Sequence, residues 1–163
     1  MGLRSKTEKK YRKGGAKHYT RRSYKSSSEY GSSNLKAFEK EITLVFFEML
    51  LLVKLYHWNT YSYATHKATD DLYGTLNGHV DNFMEILMGK ANSRIDLSGK
   101  RCISLHYLTS NEQMRKKVEQ FKSYLVGMEN NKALQTMSNT DLFNIRDEIL
   151  GDMNKFLYLL TLK

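Results

Sequence analysis

The sequence predicts an all-α protein, a four-helix bundle in which a long connection separates the second helix from the third. Three observations support this fold class. The 163 residues contain no proline, the residue that most strongly interrupts a helix. Four stretches place apolar residues every three or four positions, which is the period of one helix face. No stretch shows the apolar–polar alternation of a half-buried strand.

The first predicted helix runs from Asn34 to about Thr60. Ser33 or Asn34 can cap its amino end, and Glu39 lies near that end, where the helix dipole favours negative charge. From Leu44 onward nearly every position is apolar. Because a helix that is apolar all round is buried on more than one side, we expect this helix to contact both its own bundle and another subunit.

The connection and the last two helices are marked by their composition and capping patterns. Residues 89–110 form the connection, whose scattered apolar residues indicate that it packs against the bundle and can contain a short helix. The pattern Ser110-x-x-Gln113 is a capping box that opens the third helix. The related pattern Ser138-x-x-Asp141 opens the fourth, which runs to the end of the chain.

The second predicted helix, from Tyr63 to about Lys90, carries the candidate functional residues. At about 100° per residue, four polar side chains fall at roughly 0, 40, 60 and 100° around its axis, so all four lie on one stripe. In that order they are His66, Asp70, Asp81 and Glu85. His57, which ends the first helix together with Trp58, is a fifth candidate.

The four stripe residues form two pairs that one chain cannot bring to the same ion. Asp70 and Asp81 are eleven positions apart, about 16 Å of helix rise, whereas ligand–metal distances are about 2 Å. Two copies of the helix, antiparallel across a two-fold axis near Asn77, would place His66 and Asp70 of one chain opposite Asp81 and Glu85 of the other. Two-fold interfaces are the commonest in soluble homo-oligomers.

Imidazole and carboxylate ligands without thiolate suit iron, and also zinc or manganese. Iron in such a site can react with oxygen. Alternatively, the stripe is an ordinary solvated helix face. His57 is then a core histidine at a helix end whose ring nitrogens are hydrogen-bonded within the protein, and Trp58 is a packing residue.

Residues 1–33 form a basic arm that precedes the bundle of residues 34–163. The arm has ten Lys/Arg against two Glu, a net charge of +8, whereas the rest of the chain carries +1. It nearly lacks aliphatic residues, so burial cannot offset its ordering entropy, and we expect it to be disordered alone or extended along a partner. Its cations can replace counterions along a phosphate backbone. The predicted nucleic-acid-binding residues are Lys9, Lys10, Arg12, Lys13, Lys17, Arg21, Arg22 and Lys25.

Composition also narrows the class of protein. The single cysteine, Cys102, rules out a framework of intramolecular disulfides and fits a reducing compartment. The polar amino terminus lacks the apolar segment of a signal peptide. The longest apolar run, residues 42–56, is interrupted by charges and is too short to span a membrane, so no membrane partner is expected.

The run around the stripe resembles the Dps family, the mini-ferritins of the ferritin-like superfamily. The resemblance rests on the His57-Trp58 pair, the H-x-x-x-D pair His66/Asp70 and, eleven positions after Asp70, the D-x-x-x-E pair beginning at Asp81. The family usually has a longer link with a glycine between its first two histidines, and this chain lacks it. The layout matches over roughly residues 35–163, but specific residues match only from about 52 to 87.

The resemblance implies a ferritin-like four-helix bundle that assembles into a hollow dodecamer. It further implies a ferroxidase that oxidises Fe(II) with peroxide or oxygen at sites shared between two subunits, stores ferric mineral and protects DNA through a basic arm. Trp58 would then lie near the iron site. The expected location is the cytoplasm and nucleoid.

A structural protein is the alternative. The ferritin-like bundle then serves as a helical building block without ferroxidase activity, and the arm attaches it to a viral capsid or a packaged genome. The body and arm are similar to Dps-like proteins predicted in large DNA viruses, which would place the protein in the virion.

Overall fold

A computed structural model describes residues 27–99 and 102–162, and the described residues confirm an all-α protein. None of them lies in a β-strand. Two single-turn 3₁₀ helices, Met128–Asn130 and Leu134–Thr136, connect the last two α-helices. The four α-helices are α1 (Ser27–Asn59), α2 (Tyr63–Ala91), α3 (Asn111–Gly127) and α4 (Thr140–Leu159).

The four helices pack in the order α1, α2, α4, α3 around a shared core. α1 contacts α2 and α3, and α4 contacts the same two helices. In this order α2 and α3 occupy opposite corners, so the connection between them must cross the molecule. The long predicted connection therefore agrees with the observed packing, since helices joined only by short loops pack against their sequence neighbours.

The apolar faces predicted from periodicity line the core. Phe46 of α1 and Phe83 of α2 meet edge to face at its centre, with ring centroids 5.2 Å apart and planes at 83°, a favourable arrangement for aromatic pairs. The outer face of α1 is different. Phe47 and Leu51 remain 42% and 43% exposed in the single chain.

α1 begins at Ser27 and not at the predicted Asn34. Residues 27–33 lack an apolar periodicity, which is why the sequence did not indicate a helix there. They also contain no proline. The eight predicted nucleic-acid-binding residues, from Lys9 to Lys25, lie outside the described residues.

The prediction of a short helix in the connection is wrong for the residues that the structure describes, 92–99 and 102–110, which are irregular. Local turns take its place: Asp96 Oδ1 accepts a hydrogen bond of 2.8 Å from Ser98 N, and Gly99 adopts a positive φ of 80°. Such side-chain-to-backbone bonds compete with helix formation. The connection is held to α1 by His106, whose Nε2 lies 2.8 Å from Glu48 Oε1.

The helix starts agree with the capping patterns in part. Ser110 caps α3 as predicted, its hydroxyl accepting from Gln113 N at 3.3 Å. α4 begins at Thr140, and Ser138 does not cap it; Asn139 holds the cap position, but its side chain makes no capping hydrogen bond to the helix. The start of α4 is fixed instead by Lys90, which donates to Ser138 O at 2.8 Å.

Lys90 also makes the start of α4 sensitive to pH. Its ammonium lies 2.9 Å from Asp141 Oδ2, and this hydrogen bond lowers the pKa of that carboxyl below its ordinary value of 3.8. A lowered folded-state pKa contributes stability above the unfolded value that is lost as the pH falls through the folded pKa. Because Asp141 is half exposed, the contribution is below about 1 kcal/mol.

We therefore expect Lys90→Met to lower the free energy of unfolding by less than about 1 kcal/mol at pH 7, and by less still below pH 3.8. Urea denaturation at the two pH values measures this. Lys116→Met is the matched control, because Lys116 is exposed and forms no ion pair among the described residues. An equal loss of unfolding free energy at both pH values would show that the effect of Lys90 does not depend on the charge of Asp141.

No helix among the described residues is both long and apolar enough to cross a membrane.

Candidate metal centre

The candidate centre lies where the end of α1 meets the start of α2. Only residues 60–62 join the two helices, so the last turn of α1 folds back onto the first turn of α2. Ser62 caps α2, and its hydroxyl accepts from Thr65 N at 3.3 Å. This tight link brings His57 and His66 face to face.

His57 and His66 form a reciprocal pair. Their rings stack with centroids 3.9 Å apart and planes inclined by 25°. Nδ1 of His57 lies 3.0 Å from the backbone oxygen of His66, and Nδ1 of His66 lies 3.1 Å from the backbone oxygen of His57. A carbonyl oxygen only accepts, so both Nδ1 atoms donate. In the neutral rings both Nε2 atoms therefore keep their lone pair.

Thr69 helps to fix this pair and was not anticipated from the sequence. It is fully buried, and its hydroxyl lies 2.9 Å from the oxygen of His66 and 3.3 Å from Nδ1 of His57. A backbone carbonyl that accepts from Nδ1 is the usual partner of a metal-binding histidine, because it sets the tautomer and the ring orientation. The only sequence signal for Thr69 is its position three residues after His66.

Asp70 lies next to the histidine pair. Its Oδ1 is 3.9 Å from Nε2 of the buried His57, and two ligands each about 2 Å from one ion can be at most about 4 Å apart. The distance therefore permits both side chains to bind one ion. Lys67 Nζ lies 3.9 Å from the other carboxylate oxygen, and this ammonium would have to move if Asp70 bound a cation.

Asp81 and Glu85 lie farther along α2 and are exposed. The structure stacks His66 on His57 and places Asp70 3.9 Å from His57, whereas Asp81 and Glu85 lie apart from them. Among the described residues, no three His, Cys, Asp or Glu side chains converge closely enough to hold a metal ion. Imidazole and carboxylate are donor types that suit iron.

The surface between the two halves of the stripe is open and partly apolar. Gly74 and Gly78 lie there, and a Cβ added at either would meet nothing within 4 Å. A groove of about 650 Å³ runs beside them between α1, α2 and the connection. Its lining includes Asn77 and Asp81 together with the apolar residues Phe47, Leu50, Val80, Met84, Ile95 and Leu97.

Two other residues of the region make contacts of their own. Trp58 is 69% exposed, with Lys54 Nζ 5.9 Å from its ring. His79 projects from α2 toward α4, where its two ring nitrogens each lie 3.2 Å from a carboxylate, of Glu148 and Asp152 respectively. The spacing of four residues between these acids on α4 was the only sequence signal for this contact.

Comparison with known proteins matches more than half of the chain to a family model. The model of a family of unknown function (DUF5856) matches residues 57–160, a range that begins at the first candidate ligand. No curated protein and no solved structure matches the chain.

Proposed function

The chain belongs to the DUF5856 family, whose function is unknown, and we propose that it is a Dps-like protein that oxidises and stores iron. One observation carries this proposal. His57 and His66 each donate from Nδ1 to a backbone carbonyl, which leaves the Nε2 lone pair of each neutral ring free, and Nε2 of His57 lies 3.9 Å from Asp70 Oδ1. A histidine in a metal site usually donates one ring N–H to a carbonyl or carboxylate and binds the ion with its other nitrogen. Two neighbouring histidines that both donate from Nδ1 therefore suit a metal site.

The helix order supports a ferritin-like four-helix bundle as the scaffold. Ferritin-like bundles contain one long crossover, and here residues 92–110 connect helices at opposite corners of the ring α1, α2, α4, α3. In a scaffold of this kind, facing helices supply the side chains of the metal site.

A second copy of the chain would complete the site. Asp81 and Glu85 are exposed on the same stripe as Asp70. Between Asp70 and Asp81 lie Gly74 and Gly78, which leave room for another backbone. Phe47 and Leu51, about two-fifths exposed, provide apolar surface next to the stripe. An antiparallel two-fold dimer would cover this surface and form two identical sites. A dodecamer built from such dimers is the assembly that the Dps resemblance implies.

Iron is the substrate in this proposal. Two Fe(II) ions each lose one electron, and one hydrogen peroxide accepts both electrons with two protons and becomes two waters; oxygen can replace peroxide. The neutral Nε2 atoms and the carboxylates of Asp70, Asp81 and Glu85 would bind the ions, and the ferric product would collect inside the assembly. Zinc or manganese can bind to the same donor set.

The basic arm would bind DNA. Deleting residues 1–26, which leaves α1 intact, should weaken duplex binding at least about tenfold and flatten its dependence on salt, because fewer counterions are released. Titration of a fluorescent duplex at several salt concentrations measures both quantities. Unchanged affinity and slope would show that the arm has another role.

The test of the proposed function combines size and chemistry. The purified, metal-free chain should form an oligomer larger than a dimer by light scattering and should oxidise added Fe(II) faster than buffer does. The alternative, a structural protein of a viral capsid or packaged genome, gains support from the lack of a three-residue metal cluster within the described part of one chain. An assembly that neither binds nor oxidises iron would favour that alternative.

A further inference from the structure

A second groove, of about 390 Å³, lies at the end of the molecule where α1, the 60–62 link, the last residues of the connection and the start of α3 meet. Three aromatic rings border it and are largely exposed: Trp58 at 69%, Tyr61 at 106% and Tyr107 at 69%. Large exposed aromatic rings that cluster in one groove indicate a binding surface. None of the roles proposed above uses this groove.

The walls of the groove are held in place by hydrogen bonds. The hydroxyl of Tyr56, a buried residue of α1, donates to Asn111 Oδ1 of α3 at 2.7 Å. Thr109 N donates to Gln113 Oε1 at 2.8 Å, which fixes the last turn of the connection. The groove is therefore formed before any ligand arrives, as most small-molecule sites are.

Neutral polar groups lie between the rings. The lining includes the side chains of Asn59, Thr60, Thr109 and Ser110, which supply amide and hydroxyl donors and acceptors. The buried amide nitrogen of Asn59 has no hydrogen-bond partner within the described part of the chain. Its terminal torsion is soft, so a small rotation can offer the amide to a ligand in the groove.

The charge of the groove distinguishes between two classes of ligand. Both nucleobases and sugar rings stack on aromatic side chains, but a nucleic-acid strand brings phosphates that need lysine or arginine nearby. None of the described residues that line the groove is charged. Lys54 Nζ lies 5.9 Å from the Trp58 ring, but one ammonium is not the row of cations that follows a phosphate backbone. Flat apolar faces combined with neutral amides and hydroxyls match a ligand with apolar C–H faces and many hydroxyl groups. We propose that this groove binds a neutral oligosaccharide.

Trp58 makes the proposal directly testable, because it is the only tryptophan of the chain. Full-length protein in EDTA is titrated with neutral hexasaccharides of β-1,4-linked glucose, β-1,4-linked N-acetylglucosamine, α-1,4-linked glucose and mannose, and tryptophan fluorescence is recorded. At least one hexasaccharide should give a saturable change. Tyr107→Ala should weaken that binding at least about tenfold, whereas Tyr107→Phe, which keeps the ring, should weaken it less.

Tyr158→Ala is the matched control, since Tyr158 is 64% exposed but lies on α4 and does not line the groove; its binding should equal that of the unmodified chain. No fluorescence change with any of the four sugars would overturn the proposal, as would equal losses in Tyr107→Ala and Tyr158→Ala. A salt-dependent change with oligothymidylate in place of the sugars would assign the groove to nucleic acid instead. Because EDTA removes iron, the outcome is independent of ferroxidase activity.

Discussion

Replacing Asp81 and Glu85 together by alanine is expected to lower the rate of Fe(II) oxidation at least about 100-fold. Loss of a residue that only orients a metal ligand already costs about 10–100-fold in affinity or activity. Both side chains are exposed on α2, so their removal should change the free energy of unfolding by less than about 0.5 kcal/mol each. The rate is followed by the absorbance of the ferric product. Circular dichroism and light scattering verify the helices and the oligomer.

The matched control removes two carboxylates from another face. Glu112 and Glu119 are both exposed on α3, and the variant with alanine at both positions should oxidise iron at the unmodified rate. The same loss in both variants would indicate an effect of surface charge on iron attraction and not of a specific site. Normal oxidation by the Asp81/Glu85 variant, with its oligomer intact, would rule out these residues as ligands.

The sequence predicted the parts of the fold that depend on one helix at a time. α2 begins at Tyr63 as predicted, because Ser62 supplies an amino-terminal cap and the apolar residues from Leu72 to Leu87 keep a constant period. The angular positions of His66 and Asp70 on α2 follow from the same helical geometry. Even His79, which lies off the stripe, projects toward α4 and away from the candidate ligands.

The orientation of one helix relative to its neighbour could not be predicted from the sequence in the same way. Periodicity gives the face of each helix but not its rotation relative to its neighbour, so the stacking of His57 on His66 could not be foreseen. The three-residue link between α1 and α2 determines this rotation through its own turn and cap. The start of α1 was missed because residues 27–33 have no apolar pattern. The absent helix around Asp96 has another cause, since a local hydrogen bond from Ser98 N to Asp96 Oδ1 competes with helix formation.

The shared site makes a second prediction, because two inactive chains should complement each other. One variant carries His66→Ala with Asp70→Ala, and the other carries Asp81→Ala with Glu85→Ala. Each should be inactive alone. In a mixed two-fold dimer, one site receives intact pairs from both chains and the other site receives neither. Random association makes half of the dimers mixed, so about a quarter of the unmodified activity should return.

Co-expression of the two variants at equal levels, with a purification that selects for neither variant, measures this recovery, and different affinity tags on the two variants show that mixed dimers form. Mixing the chains after separate purification gives the same test if dimers exchange. Recovery requires that the ligands come from two chains, since a site built within one chain stays defective in every combination. Two separately active variants would show that neither pair binds the ion. Inactive variants that form mixed dimers without recovery would place the two pairs in different sites, and the antiparallel arrangement across Asn77 would then be wrong.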